Sequence, residues 1–113
     1  MDVNDYQRQV VAVIEQYGRP ATLGGHLEKL GEEVGELAHA VYAYGVFSSY
    51  PQIEPQLQEL RNHIAEECCD VINVCTSLLD TLGEKLEPCL QHKIKMLEQR
   101  VANGRRDKRC GGT

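Results

Sequence analysis

The chain has 113 residues, 42% hydrophobic and 26% charged, with a formal net charge of -5 and a pI near 5.3. These values describe one soluble globular domain and exclude nonspecific binding to nucleic acid or to a membrane surface. The apolar runs are too short to span a bilayer, and the polar start MDVNDYQRQV has no signal-peptide core, so a cytoplasmic protein without a membrane partner is expected.

Four helices are predicted in chain order. Val3, Tyr6, Val10, Val13, Ile14 and Tyr17 recur at three- and four-residue spacing, which predicts a helix over about 3–17, stopped by Gly18 and Pro20. Thr22 is a suitable N-cap for a second helix, running to about Tyr44 and breaking at Gly45. Pro51 and Pro55 make VFSSYPQIEP the main loop. A third helix follows from about Gln56 to Leu82, with Gly83 suited to its C-terminal turn. A fourth covers about Lys85 to Ala102, with Pro88 tolerable only in its first turn. Strand signals are absent, so the chain reads as all-α, a four-helix arrangement over 1–102 with a frayed basic tail over 103–113.

Five cysteines, without CxxC or zinc-finger spacing, read as reduced thiols. Cys68 and Cys75 fall on an apolar stripe, Cys110 lies in the tail, and the vicinal pair Cys68-Cys69 offers a weaker redox alternative.

The second helix contains LGEEVGEL, residues 30–37, in which three glutamates and two glycines share about two turns. Like charges and glycines both weaken a helix, so the stretch calls for a function. Leu27, Leu30, Val34, Leu37 and Val41 form one apolar stripe; Glu33 lies roughly 80° from its centre and Glu36 about 60° further round. The third helix has a stripe of Leu57, Leu60, Ile64, Cys68, Val71, Cys75 and Leu82, and Glu67 and Asp70 hold nearly the same two angular positions beside it. Glu32 and Glu66 point away from the stripes. Gly31 and Gly35 lie on the opposite shoulder, where a backbone is expected to approach closely.

Antiparallel packing through those stripes would bring Glu33, Glu36, Glu67 and Asp70 into one cluster. Four partly desolvated carboxylates need a counter-charge, and oxygen-only ligands favour Mg²⁺, with Mn²⁺ able to substitute. A solvated acidic face is the competing reading of either pair alone.

KLGEEVGELAHAV (29–41) with EECCDVINV (66–74) resembles the MazG-like nucleotide pyrophosphohydrolases, the all-α NTP pyrophosphatase superfamily. The resemblance covers roughly residues 22–100. It places the family's E-x-x-E on Glu33 and Glu36 and its E-x-x-D on Glu67 and Asp70. It implies a MazG-type fold completed by oligomerisation, as a homodimer or homotetramer whose base pocket borrows residues from a neighbour. The implied activity is Mg²⁺-dependent hydrolysis of a nucleoside triphosphate, NTP or dNTP, to the monophosphate and pyrophosphate, in nucleotide-pool housekeeping. Lys29 matches a family lysine that contacts phosphate, and Asn73 a polar position beside the site. On the fourth helix Lys93 and Arg100 match a looser substrate-binding pattern, in which Leu97 replaces an asparagine. Arg105, Arg106, Lys108 and Arg109 read as a solvated terminus, with closure over the phosphates as the alternative.

Two other classes stay open from sequence. A di-iron bundle uses E-x-x-H on two helices, and this chain has one instance, Glu36 to His39. A noncatalytic helical interaction module would carry the same acids as a solvated face. His26, His39, His63 and His92 read mostly as surface residues, with His63 on the acidic side of the third helix.

Overall fold

The computed structural model describes residues 1–18, 20, 22–51 and 54–104. These form four helices, α1 (Val3–Tyr17), α2 (Leu23–Phe47), α3 (Glu54–Thr81) and α4 (Leu86–Ala102), with no strand among the described residues. No described helix is long and apolar enough to cross a membrane. The basic run from Arg105 to Arg109, and Cys110, lie outside the described residues.

Most helix ends follow from local chemistry. Asp2 caps α1 by accepting from the Asp5 amide at 2.8 Å, and Thr22 caps α2 by accepting from the Gly25 amide at 3.0 Å. At the end of α3, Gly83 takes a φ of 78° that a side chain would strain. Its amide donates to the Asp80 carbonyl (3.0 Å) and the Glu84 amide to the Leu79 carbonyl (2.9 Å), which satisfies carbonyls the helix leaves open. Two boundaries differ from the sequence reading. α2 continues through Gly45 to Phe47, and the hydroxyls of Ser48 and Ser49 both donate to the Gly45 carbonyl, at 3.2 and 3.0 Å. α3 starts at Glu54, because Pro55 fits a first helical turn, where its missing N–H has no partner to lose.

α2 and α3 form an antiparallel pair: His26 meets Ser77, Glu33 and Glu36 meet Glu67 and Asp70, and Tyr44 lies near Arg61. α1 and α4 pack on α3 and on each other but not on α2, so α3 is the shared spine. The start of α4 has no side-chain cap of its own. Gln7 of α1, only 3% exposed, supplies one: its Oε1 accepts from the Leu86 amide at 2.8 Å and its Nε2 donates to the Glu84 carbonyl at 3.1 Å.

The buried face of α2 is not the expected one. Leu27, Val34 and Val41 are exposed, whereas His26, Glu33 and Ala40 are buried and Leu30 and Leu37 half-buried. The rotation follows from His26, whose Nδ1 lies 3.0 Å from the Thr22 carbonyl and whose Nε2 lies 3.3 Å from Ser77 Oγ and 3.4 Å from Thr81 Oγ1. Turning Leu27 inward instead would tear that ring from its partners and leave buried polar groups unpaired. On α3 the stripe from Leu57 to Cys75 is half-buried as expected, while Leu82 lies past the helix end and is exposed. Cys68 and Cys75 are half-buried free thiols, and Cys69 and Cys89 are exposed ones.

Candidate metal centre

Glu33 and Glu36 lie one turn apart on α2, and Glu67 and Asp70 one turn apart on α3. Antiparallel pairing sets the two turns side by side. One carboxylate oxygen from each of the four residues lies within 4.8 Å of the others, in the one such group found among the described residues. Glu33 and Glu67 are buried, at 7% and 8% exposure, while Glu36 and Asp70 form an open rim.

The two buried glutamates share one design. Each has a base four residues earlier on its own helix: Lys29 Nζ lies 3.2 Å from Glu33 Oε1, and His63 Nε2 lies 3.7 Å from Glu67 Oε1. In both, the second oxygen, Oε2, is buried without a hydrogen-bond partner. A buried carboxylate oxygen left unpaired is expensive, and one on each of the two buried members of this four-carboxylate group fits a site able to hold a cation. Electrostatics point the same way. The charge of Glu33, then burial, then the charge of Glu67 raise the Glu36 carboxyl above the ordinary glutamate range. Lys29 is raised in turn, first by its hydrogen bond to Glu33 and then by the charge of Glu32, 3.6 Å away. All four candidate donors are oxygens and the rim is open, which would suit a hard divalent ion that keeps positions free for other oxygen ligands.

Beside the carboxylates lies a cavity of about 240 Å³ whose lining includes Lys29, Glu33, Asp70, Asn73, His26 and Ser77. Asn73 is held from outside this pair of helices, because the Tyr6 hydroxyl of α1 donates to its Oδ1. That bond leaves the Asn73 amide N–H groups as donors beside Asp70.

Lys29 and Asn73 therefore both line this cavity. Lys93 and Arg100 do not line it; both are exposed on α4, which does not pack on α2. His39 is exposed and does not belong to the four-oxygen group found among the described residues. Glu32 and Glu66 are exposed, as their angular positions require. Among the histidines His26 departs from the surface reading: it is 1% exposed and lines the cavity. The signal was its spacing of four, seven and eleven residues from Leu30, Glu33 and Leu37, the face that turned inward.

Gly31 and Gly35 do not serve a close approach inside the chain. A Cβ at either position would meet nothing within 4 Å.

Comparison with known protein families, with curated proteins and with solved structures finds no match to this chain.

Proposed function

We propose that the protein is a MazG-like, Mg²⁺-dependent nucleotide pyrophosphohydrolase of the all-α type, working as a homodimer or homotetramer in nucleotide-pool housekeeping. The observation that supports this reading most is the pair of orphaned, buried oxygens, Oε2 of Glu33 and of Glu67, on the two buried members of a group of four carboxylates. A solvated acidic face would bury neither glutamate.

In this reading Glu33, Glu36, Glu67 and Asp70 hold the cation. When bound, Mg²⁺ supplies charge neutralisation for the triphosphate oxygens and a lowered pKa for water (Mn²⁺ can replace it). The chain's own groups do the rest. Glu33 orients the attacking water and accepts its proton, the water oxygen bonds to phosphorus, and the bond to the leaving pyrophosphate breaks. Lys29 offsets negative charge developing on the phosphates. The Asn73 amide, oriented by Tyr6, donates to a substrate oxygen in the cavity. Lys93 and Arg100 reach a substrate only from the α4 side, so their contribution is expected to be smaller.

The test is a panel of canonical and modified NTPs and dNTPs with Mg²⁺, separating pyrophosphate from orthophosphate. Equal amounts of monophosphate and pyrophosphate, abolished by EDTA, are expected. Undiminished hydrolysis in EDTA contradicts the proposal.

A further inference from the structure

The two buried glutamates each follow a base by four residues, but the two bases stand at opposite ends of the cluster. His26 against Ser77, and Glu36 beside Glu67, fix the register of the antiparallel pair. In that register Lys29 is level with Val74 of α3, and His63 with Ala40 of α2. The two bases are therefore about 16 Å apart along the pair, at 1.5 Å per residue, with the four carboxylates between them.

The two ends differ in shape. The cavity lies wholly at the Lys29 end: no α2 residue beyond Glu33 lines it, and no α3 residue before Asp70. Its wall mixes the apolar side chains of Ile14, Pro20 and Val74 with the polar groups of Asn73 and Ser77, the mixture that holds an uncharged organic group in a fixed orientation. The His63 end is open to water. Glu36 and His39 are exposed there, and the His63 side chain is 52% exposed. Its Nε2 stands 3.7 Å from Glu67 Oε1, beyond hydrogen-bond reach, whereas Lys29 Nζ stands at 3.2 Å from Glu33 Oε1. Imidazole can present an N–H at Nε2 whether neutral or charged, and no step of the hydrolysis described above uses this one. A donor at the edge of an acidic cluster, not bonded to its own glutamate, suits an anion held over that cluster.

We infer that His63 binds the phosphates that leave, so that the triphosphate lies along the helix pair with its nucleoside end in the cavity at Lys29 and its departing pyrophosphate at His63. This direction rests on the pyrophosphohydrolase reading and adds to it a second phosphate contact. The walled end suits the less charged part of the substrate, and the open end leaves the most charged part in water.

Calorimetric titration of the full chain in saturating Mg²⁺ with each product separately, inorganic pyrophosphate and a nucleoside monophosphate, reads the two ends apart. His63→Ala is expected to raise the pyrophosphate Kd about ten-fold, as loss of a hydrogen bond to a charged group does, and to leave the monophosphate Kd within about two-fold. Asn73→Ala is expected to do the reverse. His63 sits on the half-exposed surface of a helix, where alanine is the best helix former, so the variant folds. His63→Gln keeps an N–H where Nε2 stands and should recover most of the pyrophosphate affinity. A His63 that only steadied Glu67 would act through the shared carboxylate group, and His63→Ala would then weaken both products alike. That result overturns the inference, as does a pyrophosphate Kd that does not move, or a loss confined to the monophosphate. Where one of these appears in protein that still splits triphosphates with Mg²⁺ and stops in EDTA, the direction alone is wrong. Wild-type protein that binds neither product overturns the hydrolase reading and the direction with it.

Discussion

Two buried polar positions in this chain behave in opposite ways. Gln7, where α1 meets the start of α4, has both ends of its amide occupied, by the Leu86 amide and the Glu84 carbonyl. Glu33 and Glu67, where α2 meets α3, are nearly as buried, yet each keeps an oxygen with no partner. Burying an unpaired polar atom costs more than a satisfied hydrogen bond returns. A satisfied buried amide therefore marks architecture, and an orphaned buried carboxylate pair marks a place for a ligand.

The contrast between the two positions can be tested at each of them. The largest effect is expected at the orphaned pair: Glu33→Gln should lower kcat/KM for triphosphate hydrolysis by about 100-fold or more, as loss of a metal ligand does. Steady-state kinetics at saturating Mg²⁺ would show it. Next is the cation itself. Mg²⁺ at a free concentration 100 times its Kd should stabilise the folded chain by about 2.7 kcal/mol, seen as a rise in denaturant midpoint that Glu33→Gln abolishes. At the satisfied position the effect falls on folding alone. Gln7→Ala should destabilise by about 2 kcal/mol, because the Leu86 amide loses its cap and the Glu84 carbonyl its donor. Urea unfolding in EDTA isolates that loss from metal binding.

Smaller effects carry opposite signs at the two regions. In metal-free protein Glu67→Gln should stabilise by about 1 kcal/mol, since a neutral amide can donate to neighbouring carboxylates and no longer adds charge to the cluster. A destabilising result of that size would mean that Glu67 is structural, like Gln7. The smallest effect is the pH dependence carried by Glu36. Its carboxyl is raised in the folded state, so the folded chain holds that proton more tightly than the unfolded one. Stability should then fall as pH rises from the ordinary glutamate range through the raised value. The difference in melting temperature between wild type and Glu36→Gln, followed against pH in EDTA, should show this fall, and Mg²⁺ should suppress it.

Much of this contrast could be read from sequence on one side and little on the other. The two acidic pairs were legible because i,i+3 spacing on two antiparallel helices leaves few ways to arrange them. Gly18 and Gly83 marked helix ends because both take a positive φ that other residues resist. The identity of the buried α2 face was not legible. Leu27, Val34 and Val41 outweigh His26 and Ala40 on any hydrophobic count, and only the hydroxyls of Ser77 and Thr81, fifty or more residues away, make burying His26 favourable. Gln7 was hidden for the same reason, because its partners lie 77 and 79 residues along the chain. The end of α2 was misplaced because Gly45 breaks helices on average, whereas here two serine hydroxyls bond to its carbonyl.

The claim beneath the functional reading is that these four oxygens share one divalent ion, and titration with Mn²⁺ followed by the EPR signal of the free ion tests it most directly. Wild-type protein should take up Mn²⁺ saturably, in competition with Mg²⁺, and the double variant Glu33→Gln, Glu67→Gln should leave the free signal unchanged. Equal uptake by the two proteins would contradict the account.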